Sequence, residues 1–232
     1  MQLIFLHAFP LNAAMWKEQE SIAPGRSIYP NLYGFGSSLE DWAASALSIA
    51  NAEEPIIAIG SSMGGSCAIE MARQAPQRIA ALVLVGTKAG HRPEPDLRDA
   101  YIQSLRLNGI NGVWPEVLTW FSDTTQQATI DIAYAIAQRQ HADDLINATN
   151  VFHGRPDLEP VLSQWQKPYL VVSGDRDPMF PQPKSEHISK LGPNGRLSTM
   201  TECGHFMNME RPEEFNRIVC DFIATSKLHT AV

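Results

Sequence analysis

The stretch Gly60-Ser61-Ser62-Met63-Gly64-Gly65 carries the residue types needed for nucleophilic attack on a carbonyl carbon. It follows Ile56-Ile57-Ala58-Ile59, an apolar run that reads as a buried strand, and it leads into Ser66–Arg73, which reads as a helix. A serine on such a sharp turn sits in a strained backbone conformation, and side chains two positions to either side would collide across the turn. Only Ser62 has glycine at both places; Ser61 would need it at positions 59 and 63, which hold Ile and Met. A serine hydroxyl is a weak nucleophile at neutral pH and needs an imidazole to take its proton. His205 is the candidate, because it follows a strand-like segment in a Gly-His-Phe turn on the rim that Ser62 would occupy. His141 and His153 fall in a helical region that His91 begins, His187 lies in a helix, and His229 lies near the C-terminal end.

The imidazole in turn needs a carboxylate to fix its tautomer and stabilise its charged form. Asp175 and Asp177 both follow the apolar run Tyr169-Leu170-Val171-Val172-Ser173. One residue apart in an extended loop, they point to opposite sides, so only one can serve. The spacing Gly174-x-x-Asp177-x-x-x-Pro181 favours Asp177 and leaves Asp175 to solvent or the loop backbone. A tetrahedral oxyanion needs two N–H donors, each worth ~3–4 kcal/mol. Met63, directly after the serine, supplies one, and the loop His7-Ala8-Phe9-Pro10 supplies the other, with Phe9 preferred over Ala8. His7 is a candidate either for tying that loop down or for the substrate pocket, together with Trp120, Phe121 and Phe206.

The elements that must position these groups alternate between strand and helix. Apolar runs near 2–6, 27–31, 55–60, 79–86, 168–173 and 195–200 read as six strands. Helices are expected at about 12–20, 39–52, 63–75, 184–191 and 212–227. Continuous rather than alternating apolar strands, with helices between them, predict a parallel sheet covered on both faces. Reactive groups in such sheets gather at the carboxyl ends of the strands. From Lys88 to Gln164 the pattern is helical only, with segments near 96–108, 113–121, 128–139 and 143–152. The chain is therefore expected to form a core of 1–87 and 165–232, with residues 88–164 inserted as a cap above the rim.

Composition narrows the possibilities. A net charge of −7 and no basic run argue against nucleic acid. No apolar stretch approaches the ~20 residues that span a bilayer. Three cysteines without metal spacing suggest a reducing, cytoplasmic setting, with Cys67 and Cys220 as small core residues. No metal or cofactor is expected. The glycines after strand 56–59 do not form Gly-x-Gly-x-x-Gly, which argues against a nucleotide-binding domain.

Together, Leu6-His7-Ala8-Phe9-Pro10, Gly34-Phe35-Gly36-Ser37-Ser38, Gly60–Gly65, Gly174-Asp175-Arg176-Asp177 and Gly204-His205-Phe206 followed by Glu210-Arg211-Pro212 resemble the α/β-hydrolase superfamily along nearly the whole chain. The order Ser62, Asp177, His205 is that of its catalytic triad. The superfamily commonly has two further strands ahead of the one ending at His7. The sequence has no residues for them, so six parallel strands with an exposed edge are expected. Asn31 replaces the usual Asp ahead of the Gly-Phe-Gly loop. Ser-Met-Gly-Gly and the stretch 107–121 resemble 3-oxoadipate enol-lactonases, and His7–Trp16 resembles pimeloyl-carrier-protein methyl esterases. These resemblances imply hydrolysis of a small or medium ester or lactone by a monomer or homodimer, with an acidic or carrier-bound tail on some substrates. Arg98, Arg106, Arg139 and Arg155 are candidates to pair with such a tail, although each singly fits a solvated helix face better. A thioesterase, C–C bond hydrolase, acyltransferase or perhydrolase would use the same triad, and a receptor retaining it is a more distant alternative.

Overall fold

A computed structural model describes residues 1–91, 93–226 and 228. Six strands form one sheet: β1 (Gln2–Leu6), β2 (Ser27–Ile28), β3 (Ile56–Ser61), β4 (Ile79–Val85), β5 (Tyr169–Gly174) and β6 (Gly195–Met200). Every neighbouring pair is parallel, in the order β2-β1-β3-β4-β5-β6. The chain moves outward from β1 to β2 and then to β3 on β1's other side. The crevice where it changes direction therefore opens between the carboxyl ends of β1 and β3, the place where such sheets take ligands. The edge strand β2 pairs over only two residues, which leaves little free edge.

Successive strand residues face opposite layers, and the two cores divide accordingly. Ile4, Leu6, Ile56, Ala58, Leu82, Leu84 and Val171 pack with α1 (Leu39–Ile49) and α2 (Met63–Gln74). Leu3, Phe5, Ile57, Ile59, Val83, Leu170 and Val172 pack with a 3-10 helix at Ala13–Gln19 and with the last helix of the chain, Pro212–Thr225. α1 begins with a capping box in which Ser38 and Asp41 satisfy each other's backbone N–H groups. The last helix turns Phe215, Val219 and Phe222 inward, which puts Cys220 outward. Cys220 is exposed, not the core residue expected, whereas Cys67 and Cys203 are buried. The expected end of that helix at Lys227, and His229, lie outside the described residues.

Between β4 and β5 come α3 (Pro95–Asn108), α4 (Trp114–Leu118), α5 (Gln127–Ala137), α6 (Ala142–Gly154) and α7 (Glu159–Gln164), with no strand among the described residues. α4 is shorter than the apolar spacing suggests, because the chain leaves the helix before Trp120. α6 is longer, and α7, opened by Pro160, lacks the length for a periodic signal. Leu158 and Leu162 join the α1/α2 core, so this end of the helical stretch packs against the sheet layer. Beyond β5 lie α8 (Gln182–Ser189), α9 (Met207–Glu210) and α10 (Pro212–Thr225). No helix among the described residues is long and apolar enough to cross a membrane.

The loop after β1 is anchored by His7, which is fully buried. Its Nε2 accepts the Leu32 N–H at 2.9 Å, which leaves the proton on Nδ1, 3.2 Å from the Ala8 carbonyl oxygen. Burial lowers its pKa from 6.5 to about 4, with hydrogen bonds at Ala8 and Asn31 offsetting part of that. Protonation would turn Nε2 from the Leu32 donor toward Asn31 Oδ1 and lose the anchor. Between those two values the unfolded chain binds a proton that the folded chain refuses. The contribution of His7 is thus complete above pH 6.5 and declines by roughly 3 kcal/mol as pH falls to about 4. His7→Gln should flatten the rise of stability with pH across this window by about one proton, read from urea unfolding at a series of pH values.

Candidate active site

Ser62 lies between β3 and α2 with φ 53° and ψ −116°, a conformation that L-residues rarely adopt. Its N–H donates to the Val85 carbonyl at 2.8 Å, and its own carbonyl accepts from Gly65 and Ser66. The flanking glycines have separate steric reasons. A Cβ on Gly60 would fall on the Gly64 carbonyl across the turn, whereas one on Gly64 would fall on the Leu6 carbonyl at the end of β1. The first is the collision expected from the spacing; the second shows that α2 must also approach β1 closely.

The loop after β5 presents Asp177. Its Oδ1 accepts the N–H groups of Met179 at 2.8 Å and Phe180 at 2.9 Å, and its Oδ2 lies 2.8 Å from His205 Nδ1. Both side chains are buried. With Nδ1 committed to the carboxylate, Nε2 is the nitrogen left for chemistry, and the ring borders the same cavity as Ser62. Asp175 faces elsewhere and accepts from the Cys203 N–H at 3.2 Å. Gly86, at φ +51°, passes beneath the pair, and a Cβ there would stand 3.1 Å from both Asp177 Oδ2 and the His205 ring. The cavity holds about 100 Å³ and is lined by Phe9, Met63, Tyr101, Trp120, Ser62 and His205 among others.

Phe9 and Met63 both border this cavity, and among the described residues neither N–H donates a hydrogen bond. The Ala8 N–H is committed to Met15 Sδ at 3.2 Å, which removes the alternative donor. Met63 opens α2, so its N–H is one of the unpaired donors of a helix N-terminus, where the helix dipole favours negative charge.

Of the pocket candidates, Trp120 lines the cavity, edge-on to His205 with centroids 5.7 Å apart. His7, Phe121 and Phe206 do not border it. His7 is under the loop that it anchors. Phe206 is fully buried behind His205 and Trp120, and Phe121 stacks on Phe206 at 4.7 Å, so these two form a wall behind the cavity. Lining residues that the sequence reading missed come from the helical stretch and the β5 loop, including Leu97, Thr149, Phe152 and Met179.

The reading also missed the role of Glu210. Its carboxylate accepts the N–H groups of Gly204 at 2.9 Å, Phe206 at 3.0 Å and Ser122 at 3.1 Å, and the Thr125 hydroxyl at 2.7 Å. One carboxylate thus grips the residues on both sides of His205 and ties them to the loop after α4. The His205 N–H completes the tie by donating to the Trp120 carbonyl at 2.8 Å. The residue stood in the sequence as part of Glu210-Arg211-Pro212, but its type and spacing carry no sign that it gathers four donors. Glu210→Ala should lower stability by about 2–3 kcal/mol in urea by stranding those donors. It should also broaden the Nδ1 proton resonance of His205, read by NMR against wild type.

The chain matches the model of the alpha/beta hydrolase family over residues 3–218. It is 28% identical over 183 residues to a 2-hydroxy-6-oxononadienedioate/2-hydroxy-6-oxononatrienedioate hydrolase of Paraburkholderia xenovorans, covering 74% of this chain and 63% of that one. It is 24% identical to a pimeloyl-[acyl-carrier protein] methyl ester esterase of Aromatoleum aromaticum, covering 95% of this chain and 97% of that one. The chain spans a little under two thirds of the length of several such relatives, at 65% and 63%. Among solved structures, a thermophilic esterase from Thermogutta terrifontis superposes with a TM-score of 0.90 at 23% identity, covering 97% of this chain and 90% of that one, which is a likeness of fold. On the match to its family model, which spans nearly the whole sheet and its flanking helices, the chain belongs to the alpha/beta hydrolase family.

Proposed function

We propose that the chain is a serine hydrolase that cleaves a small or medium carboxylic ester or lactone through an acyl-enzyme. The observation that carries this reading is the 2.8 Å bond between Asp177 Oδ2 and His205 Nδ1, on a ring that borders the same cavity as the strained Ser62. Ser62 Oγ attacks the carbonyl carbon while His205 Nε2 takes its proton. The carbonyl oxygen becomes an oxyanion facing the Phe9 and Met63 N–H groups, which are oriented before reaction and so cost no reorganisation. The Asp177 carboxylate, aimed by the Met179 and Phe180 N–H groups, stabilises the imidazolium. Nε2–H then protonates the departing alkoxide as the carbon–oxygen bond breaks. In the second half, Nε2 takes a proton from water, the hydroxide attacks the acyl carbon, and Ser62 leaves with its proton restored.

The helices α3 to α6 act in this reading as a cap that supplies one wall of the substrate cavity, through Tyr101, Trp120 and Phe152. Ester cleavage is favoured because a relative that aligns over 95% of this chain and 97% of its own is named a methyl ester esterase, whereas one named for a 2-hydroxy-6-oxononadienedioate matches over 63% of its length. A fluorophosphonate should form its adduct on Ser62, located by mass spectrometry, and His205→Ala should abolish labelling. Ser62→Ala should lower kcat on p-nitrophenyl esters on the order of 10⁵-fold. Retention of full esterase activity by Ser62→Ala would defeat the proposal.

A further inference from the structure

Next to the catalytic cavity lies a wider one of about 570 Å³, and Lys88, Glu94, Phe152, His153 and Phe180 border both. Its walls carry three fixed cations, Lys88, Arg155 and Lys184, against two carboxylates, Glu94 and Glu159. Glu159 is engaged by His187 Nε2 at 3.1 Å. Arg155 is only 5% exposed, yet among the described residues no carboxylate lies within salt-bridge distance of it. Its guanidinium stacks 4.0 Å over the Phe152 ring and reaches the carbonyls of Phe152 and Gly90, while its buried Nε has no partner. The Lys88 amine also stands over the Phe152 ring, 6.0 Å from its centroid, and the Lys88 backbone carbonyl is pinned by Ser66 Oγ at 3.0 Å. Of the four arginines singled out in the helical stretch, Arg106 and Arg139 are exposed and Arg98 pairs with Asp99, so Arg155 alone faces this cavity.

Burying Arg155 without an ion-pair partner, beside a half-buried Lys88, is costly, and removing water from these cations strengthens their attraction for any anion that enters. The stress shows in both groups. Burial holds Arg155 down at about 10, with Glu94 and Asp157 offsetting part of the shift, and burial together with Arg155 lowers Lys88.

We propose that Lys88, Arg155 and Lys184 form a subsite for an anionic group, a carboxylate or a phosphate monoester, carried by the substrate at a distance from the carbonyl that Ser62 attacks. The proposal rests on the serine-hydrolase reading and adds to it the substrate class. Arg155 and the two lysines set positive charge around the outer cavity, with the Arg155 guanidinium fixed in place by its carbonyl partners and the lysines free to adjust. The narrow inner cavity then holds the reacting carbonyl and a short chain, and the polar outer cavity holds the charged end.

The test compares kcat/KM for p-nitrophenyl pentanoate with that for the monoesters of glutarate, adipate and suberate, and with p-nitrophenyl esters ending in a phosphate monoester. Wild type should prefer one of the anionic esters by about tenfold at the best chain length. The carboxylate and phosphate arms identify which anion the subsite takes. Lys88→Met and Arg155→Met should bring the ratio of anionic to neutral ester toward one. Arg155 also holds two carbonyls, so if its variant fails to fold, Lys88→Met decides, because no hydrogen bond of its amine is lost. A wild-type ratio at or below one for every anionic ester, or a preference that survives both substitutions, overturns the subsite. Turnover of the neutral ester and labelling of Ser62 report separately on the hydrolase reading, so its failure is distinguishable from that of the subsite.

Discussion

The close approach of α2 to the ends of β1 and β3 is the constraint on which the rest of the site depends. No side chain fits at position 60 or 64, because the first would strike the Gly64 carbonyl and the second the Leu6 carbonyl. Having neither allows the strand to turn into the helix within one residue, and that residue is held at φ 53°. The same approach brings Met63, at the helix start, to the cavity that Phe9 borders from the loop leaving β1. The proposed nucleophile and the proposed donor Met63 are therefore products of one packing contact, with the strain at Ser62 sustained by the hydrogen bonds of its own N–H and carbonyl.

Asp177 and His205, the proposed acid and base, reach the same cavity rim by a different route. Asp177 and His205 come from loops after β5 and β6, two strands that lie side by side, so sheet order alone brings the loops together. Fine placement is left to polar contacts. Met179 and Phe180 aim the Asp177 carboxylate, and Glu210 gathers the backbone on both sides of His205. Because Glu210 also takes the Ser122 N–H and the Thr125 hydroxyl, the helical stretch and the imidazole share one anchor.

What could be read from sequence follows from how local each feature is. The six strands and the turn at Ser62 are written in short apolar runs and in glycine spacing, and the offset of Asp177 from Asp175 within one loop is what sets the former against His205. Features set by distant segments left weaker traces. His7 offered two readings as a ring after a strand; only its bond to Leu32, a residue far along the chain, separates an anchor from a pocket wall. Phe121 and Phe206 have the composition of a pocket lining but pack on each other, since apolar residues next to a site line it or support it with the same sequence signature. Cys220 was misplaced because an apolar context does not give helical phase; Phe215, Val219 and Phe222 do. Glu210 gave no hint, since nothing in a lone glutamate forecasts four donors.

The same distinction explains why chemistry is more legible than substrate. The proposed reacting groups stand after strand ends, where the sheet imposes their spacing and leaves little room for variation. The groups around the outer cavity come from the loop after β4, the end of α6 and α8, whose relative positions depend on packing across the rim. Arg155 illustrates the difference: on a helix wheel it reads as a solvated end, yet the turn from α6 into α7 folds it under Phe152 and beside Gly90. Its partners are backbone carbonyls, which any residue provides, so no neighbouring side chain announces it. Charge placed in this way depends on tertiary structure to be recognised, and it is there that members of one family can differ in what they bind while retaining the same nucleophile.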